Sequence, residues 1–134
     1  MNTVLYVDDD ATFRMLFRRL LPATLALEFA GRGDEALRMI QAATIPFAVI
    51  VTDMWLPGMD GMQLLTLVRS CSPLTTRVIL TGDPQVSSHP SVATEAAPFR
   101  LLFKPVSLVD LLGTVNDAVA HHRQLISMEI AAAA

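Results

Sequence analysis

The sequence predicts an α/β fold in one domain, a parallel five-stranded sheet wound with helices on both faces. Three observations predict it. Short apolar runs alternate along the chain with stretches whose apolar residues recur at helical spacing. The run Phe47 to Thr52 has no polar face, as a strand buried on both sides of a parallel sheet must read. Four of the runs stop at a polar or charged residue, namely Asp8, Asp53, Thr81 and Lys104, and a parallel sheet gathers such ends on its carboxyl rim.

The elements follow in order. Thr3 to Val7 is a strand ending in Asp8-Asp9-Asp10. The next helix carries Phe13, Leu16, Phe17, Leu20 and Leu21 on an inward face, with Arg14, Arg18 and Arg19 turned to solvent. Leu25 to Ala30 is the second strand, and Asp34 is expected to cap a helix reaching about Ala43. After the strand ending at Asp53, Pro57-Gly58 turns the chain, and Asp60 with Gln63 forms a capping box for a helix over Gly61 to Ser70. Arg77 to Leu80 is the fourth strand. From Asp83 to Pro98 the pattern weakens around Pro84 and Pro90, with a thin stripe of Val86, Val92 and Ala96, so the fourth helix is expected to be short or irregular. Phe99 to Phe103 is the fifth strand. Ser107 and Asp110 start a last helix with Leu108, Leu111, Leu112, Val115, Val119, His122 and Ile126 on one face. His121 and His122 read as solvated or flanking residues, and His89 as a lone histidine in the weak segment.

Composition bounds the function. The 134 residues are enough for one domain with a core, and the apolar share of 52% suits a sheet covered on both faces. A net charge of −3 gives no basic footprint for nucleic acid. Cys71 stands alone, which excludes an internal disulfide and a multi-cysteine zinc site. No segment reaches the roughly 18 apolar residues of a membrane span, and Met1 to Tyr6 does not read as a signal peptide, so a cytoplasmic protein is expected.

The chemistry gathers at the rim. One aspartate suffices as a helix cap, and three adjacent carboxylates repel one another unless a cation offsets them. Mg²⁺ suits such oxygen donors and keeps open positions for phosphate. A turn role for Asp53 is redundant, because Pro57-Gly58 already turns the chain and Asp60 already caps. Carboxylates, a hydroxyl and an ammonium together supply the positioning and charge neutralisation that phosphoryl transfer needs.

The motifs V-D-D-D at Asp8-Asp9, D-M-W-L-P-G-M-D-G at Asp53, L-T-G at Thr81 and F-K-P at Lys104-Pro105, each at a strand end, resemble a response regulator receiver domain of two-component signalling. The resemblance runs from Thr3 to about His122. It implies a flavodoxin-like (βα)5 domain with strand order 2-1-3-4-5 over residues 1–122, and residues 123–134 as an extension of the last helix. It further implies that Asp53 accepts a phosphoryl group from a sensor histidine kinase or phosphotransfer protein. Asp9, Asp53 and the backbone carbonyl of Trp55 would hold Mg²⁺ directly, and Asp8 partly through water. Thr81 and Lys104 would bind phosphate oxygens and reshape the face of the fourth helix, fifth strand and fifth helix. Such a domain is a phosphoacceptor that takes part in its own phosphorylation and dephosphorylation rather than an enzyme.

The pattern departs at Leu101, where the family usually has an aromatic. Coupling to the output face is either weakened or carried by Phe99 or Phe103. Trp55 is expected to shield the site from water. One rival is a haloacid dehalogenase-type phosphatase with Asp8 as nucleophile, since Asp8 to Thr12 reads D-x-D-x-T; it leaves the Asp53 motif unexplained. Another is a receiver-like module that is never phosphorylated. The chain is either a single-domain regulator or a fragment of one joined to an output. Its ending resembles receivers joined to cyclic-dinucleotide phosphodiesterases, and the apolar face beyond His122 favours a partner helix, a second copy included.

Overall fold

The computed structural model describes residues 2–85 and 92–133. Five parallel strands form one sheet: β1 (Asn2–Val7), β2 (Leu25–Ala30), β3 (Val49–Asp53), β4 (Thr76–Thr81) and β5 (Arg100–Phe103), in the order β2-β1-β3-β4-β5. Among the described residues the helices are α1 (Thr12–Leu20), α2 (Gly33–Ala42), α3 (Gly61–Cys71) and α4 (Leu108–Ala133). None of them is long and apolar enough to cross a membrane.

Strand alternation divides the interior into two cores. Leu5, Val7, Ile50 and Ile79 point to one face, where Ala36 and Ile40 of α2 and Leu64, Leu65 and Val68 of α3 cover them. Val4, Tyr6, Val49, Val51, Val78 and Leu80 point to the other, against Phe17 of α1 and Leu111, Val115, Ala118 and Val119 of α4. The unbroken apolar reading of β1, β3 and β4 thus follows from burial on both sides.

Several local expectations are corrected. On α1, Leu16 and Leu20 stand about half exposed; the helix is held instead by Phe17, with Phe13 beside it, packed on the Tyr6 ring. Arg14 is not turned to solvent. It is half-buried, donates to the Asp8 carbonyl at 2.7 Å, and lies with Arg18 over the Phe29 ring. Asp34 does not cap α2, whose N-cap is Arg32; Asp34 sits in the first turn and holds the Arg32 Nε at 3.1 Å. His122 is buried rather than solvated, because its Nδ1 donates to the Leu74 carbonyl at 2.6 Å and so satisfies a polar ring in an apolar face. His121 stacks on Phe99 at 4.8 Å between centroids. Of the fourth helix, the described residues hold one π-helical turn, Val92–Ala96; Val86, His89 and Pro90 lie outside the described residues.

The capping box at Asp60 and Gln63 is present in both directions, at 2.8 and 3.0 Å. It starts α3 beside the end of β3, where the Gly61 amide donates to the Met54 carbonyl at 2.7 Å. A Cβ on Gly61 would collide with the Asp53 carbonyl, so only glycine lets α3 approach the rim this closely. By contrast Gly113, inside α4, has open space around it. Denaturant titration should show Gly61→Ala destabilised by about 1–3 kcal/mol, the usual cost of forced overpacking. Gly113→Ala should gain up to about 1 kcal/mol from helix propensity.

Candidate functional site

The site is built by strand ends. Val7 of β1 pairs with Thr52 of β3, so Asp8 and Asp53 leave the sheet side by side. Asp53 in turn pairs with Leu80, which sets Thr81 one residue further along the same rim. The backbone ties these ends together: Asp8 donates to the Ala30 carbonyl, Met54 to Leu80, and Lys104 to Thr81, at 2.7 to 3.1 Å.

Asp8, Asp9 and Asp53 each offer a carboxylate oxygen, and these three oxygens lie within 4.8 Å of one another. Such a set of hard donors can hold a small divalent cation. Lys104 Nζ lies 2.9 Å from Asp53 Oδ2, an ammonium placed against a carboxylate that is itself mostly buried. Asp8 is buried and clamped at both oxygens, Oδ1 accepting from the Asp10 amide at 3.0 Å and Oδ2 from the Tyr6 hydroxyl at 3.4 Å. Burial holds the Asp8 carboxyl above the usual carboxylate range. The Asp10 amide and the Lys104 ammonium pull it down, and the charges of Asp53 and Asp9 push it up again.

Thr81 is fully buried, and its hydroxyl oxygen accepts from the Asp83 amide at 3.0 Å. Thr81 ends β4 on the same rim as Asp53. Trp55 lies in the loop after β3 and is 60% exposed, so most of its surface is not spent on covering the site. Leu101 is half-buried against the α2 and α3 core, while Phe103 is exposed.

A cavity of about 460 Å³ opens beside the carboxylates, lined by Tyr6, Asp8, Asp10 and Lys104 together with apolar groups of Phe13, Leu80, Pro105 and Val106. Of the residues singled out in the sequence, the structure brings Asp8, Asp9, Asp53 and Lys104 together. The sequence leaves unnoticed Tyr6 and Arg14, which touch Asp8 from the core side and from α1. The signal for Tyr6 is its spacing: two residues before Asp8, it shares that residue's face of β1.

Residues 4–116 match the response regulator receiver domain family. The DNA-binding transcriptional regulator NtrC of Salmonella typhimurium is 29% identical over 119 residues, which are 88% of this chain and 25% of that protein. The chain thus spans about a quarter of the length of the curated relatives it matches. Among solved structures, an adenylate cyclase from Rhodopirellula baltica superposes with a TM-score of 0.86 at 30% identity, covering 96% of each chain. The signal receiver domain of an HD domain-containing protein from Pseudomonas fluorescens follows, with a TM-score of 0.83 at 29% identity, covering 94% of this chain and 92% of that one.

The raised Asp8 carboxyl has a consequence for stability. The folded protein holds a proton at Asp8 more readily than the unfolded chain does, so this stabilisation is present at low pH and is lost as pH rises through the folded-state value. At neutral pH the ionised form is a cost that Asp8→Asn removes while keeping an acceptor for the Asp10 amide. In metal-free buffer at pH 7, Asp8→Asn should unfold a few degrees above the wild type, and calorimetry at falling pH should show the gap closing.

Proposed function

The chain belongs to the response regulator receiver domain family, and on that premise we propose that Asp53 is its phosphoacceptor in a phosphorylation-dependent signalling switch. The observation that carries this reading is the 2.9 Å pair between Lys104 and Asp53, set within a carboxylate cluster. Asp53 is the carboxylate of the cluster that has a cation ready to follow charge as it moves onto a phosphoryl group.

The donor set fits Mg²⁺: hard carboxylate oxygens of Asp8, Asp9 and Asp53 lie close enough to share one ion, with the Trp55 carbonyl nearby in sequence to complete it. Bound there, Mg²⁺ would supply charge neutralisation for the phosphoryl oxygens and the attacking carboxylate. In the proposed transfer an Asp53 oxygen attacks phosphorus in line. A P–O bond to Asp53 forms as the P–N bond to the donor histidine breaks, and the imidazole leaves with the electron pair. Lys104 keeps its ammonium against the new charge, and Thr81 donates its hydroxyl proton to a phosphoryl oxygen while still accepting from Asp83. Loss of the phosphoryl group to water resets the switch.

A phosphatase with Asp8 as nucleophile is the weaker reading, because Asp8 is buried with both oxygens engaged. The phosphoryl donor is a sensor histidine kinase or phosphotransfer protein in the cytoplasm, and the output lies in an attached domain or a partner. The likeness to the receiver of an HD domain-containing protein supports an HD-domain output.

Intact mass spectrometry after incubation with acetyl phosphate tests the assignment. One phosphoryl adduct is expected, dependent on Mg²⁺ and absent in Asp53→Asn. An adduct that survives Asp53→Asn and disappears in Asp8→Asn would transfer the role to Asp8.

A further inference from the structure

The geometry points to Tyr6 as a positioning residue for the metal site: its phenol, locked by three aromatic rings, fixes the Asp8 carboxylate in the orientation that divalent-cation binding uses. This rests on the reading of Asp8, Asp9 and Asp53 as metal ligands.

Tyr6 and Asp8 stand two residues apart at the end of β1 and so project to the same face. The Tyr6 side chain is 1% exposed. Its ring packs against Phe17, Phe13 and Phe29 at centroid distances of 5.4, 6.0 and 6.2 Å, which leaves the hydroxyl one position at the rim. A phenylalanine would fill the same core without burying a polar atom. The hydroxyl is accommodated because it meets Asp8 Oδ2 at 3.4 Å.

With the Asp10 amide on Oδ1, this contact gives Asp8 a partner at each oxygen. A carboxylate held at both ends has little freedom to rotate about its Cβ–Cγ bond, so little is lost in fixing it when a cation arrives. A phenol carries its proton at physiological pH and so donates to the carboxylate. Lys104 shapes the other side of the cluster and touches Asp53 rather than Asp8. The orientation of Asp8 therefore depends on Tyr6 and Asp10. Groups that orient metal ligands in this way are commonly worth about 10- to 100-fold in affinity. The length of the Tyr6 contact puts it at the low end.

Binding of Mn²⁺ alone, counted as free ion by electron paramagnetic resonance, separates the possibilities. Wild type, Tyr6→Phe and Asp9→Asn would be compared, with the metal-free unfolding midpoint of each measured alongside. The expected result is one Mn²⁺ per wild-type chain, none in Asp9→Asn, and about tenfold weaker binding in Tyr6→Phe with an unchanged metal-free midpoint. Tyr6→Phe within about threefold of wild type would overturn the positioning role and leave the metal site standing. A lower affinity accompanied by a lowered midpoint would also overturn it, since the hydroxyl would then act through the fold. A wild type that binds no Mn²⁺ would overturn the metal reading and this inference together.

Discussion

The structure depends on a concentration of negative charge that the parallel sheet itself imposes. Adjacent parallel strands end together, so once β1 and β3 pair in register, Asp8 and Asp53 must emerge side by side, and Asp9 follows. Two unit charges at about 4 Å repel by about 4 kcal/mol at an effective dielectric near 20. The fold cannot relax this by spreading the strands, because their flanking residues Val7, Val51 and Leu80 are locked in both cores. Among the described residues it offsets the charge with the Lys104 ammonium on Asp53, and holds Asp8 with hydrogen bonds while burial favours its protonated form. A rim of this kind is poised for a cation and for a group bearing anionic oxygens.

The two faces of the sheet serve this rim differently. On the α3 side, the capping box and the bare Cα of Gly61 bring a helix N-terminus close behind Asp53, fixing the backbone from which that carboxylate projects. On the α1 side, an aromatic cluster around Tyr6 supports Asp8, and Arg14 reaches from α1 to the Asp8 carbonyl. Asp53 is thus held by its backbone and has the Lys104 ammonium for a partner. Asp8 is held by its side chain as well.

Much of this was legible because the strand ends carry their own signal: an apolar run that stops at a charge marks both the strand and the rim. Asp8, Asp53, Thr81 and Lys104 stand where that reading put them, and the sheet order agrees with the family resemblance. What was not legible depends on distant partners or on backbone angles. His122 looks solvated until the Leu74 carbonyl, 48 residues earlier, is brought against it. Asp34 has the composition of a cap, but the extended backbone at Arg32 starts α2 sooner and turns Asp34 to a local ion pair. Leu16 and Leu20 fit the helical period, yet the bulk of Phe13 and Phe17 on Tyr6 fills the contact with the sheet first. Periodicity counts apolar residues and not their volume.

The most direct test of the rim as a phosphoryl-binding switch is fluorine NMR of the protein with beryllofluoride, which imitates a phosphoryl group on a carboxylate. Bound resonances should appear only with Mg²⁺ present, and Asp53→Asn should abolish them. Bound resonances that persist in Asp53→Asn, or none at all in the wild type with Mg²⁺, would contradict the account.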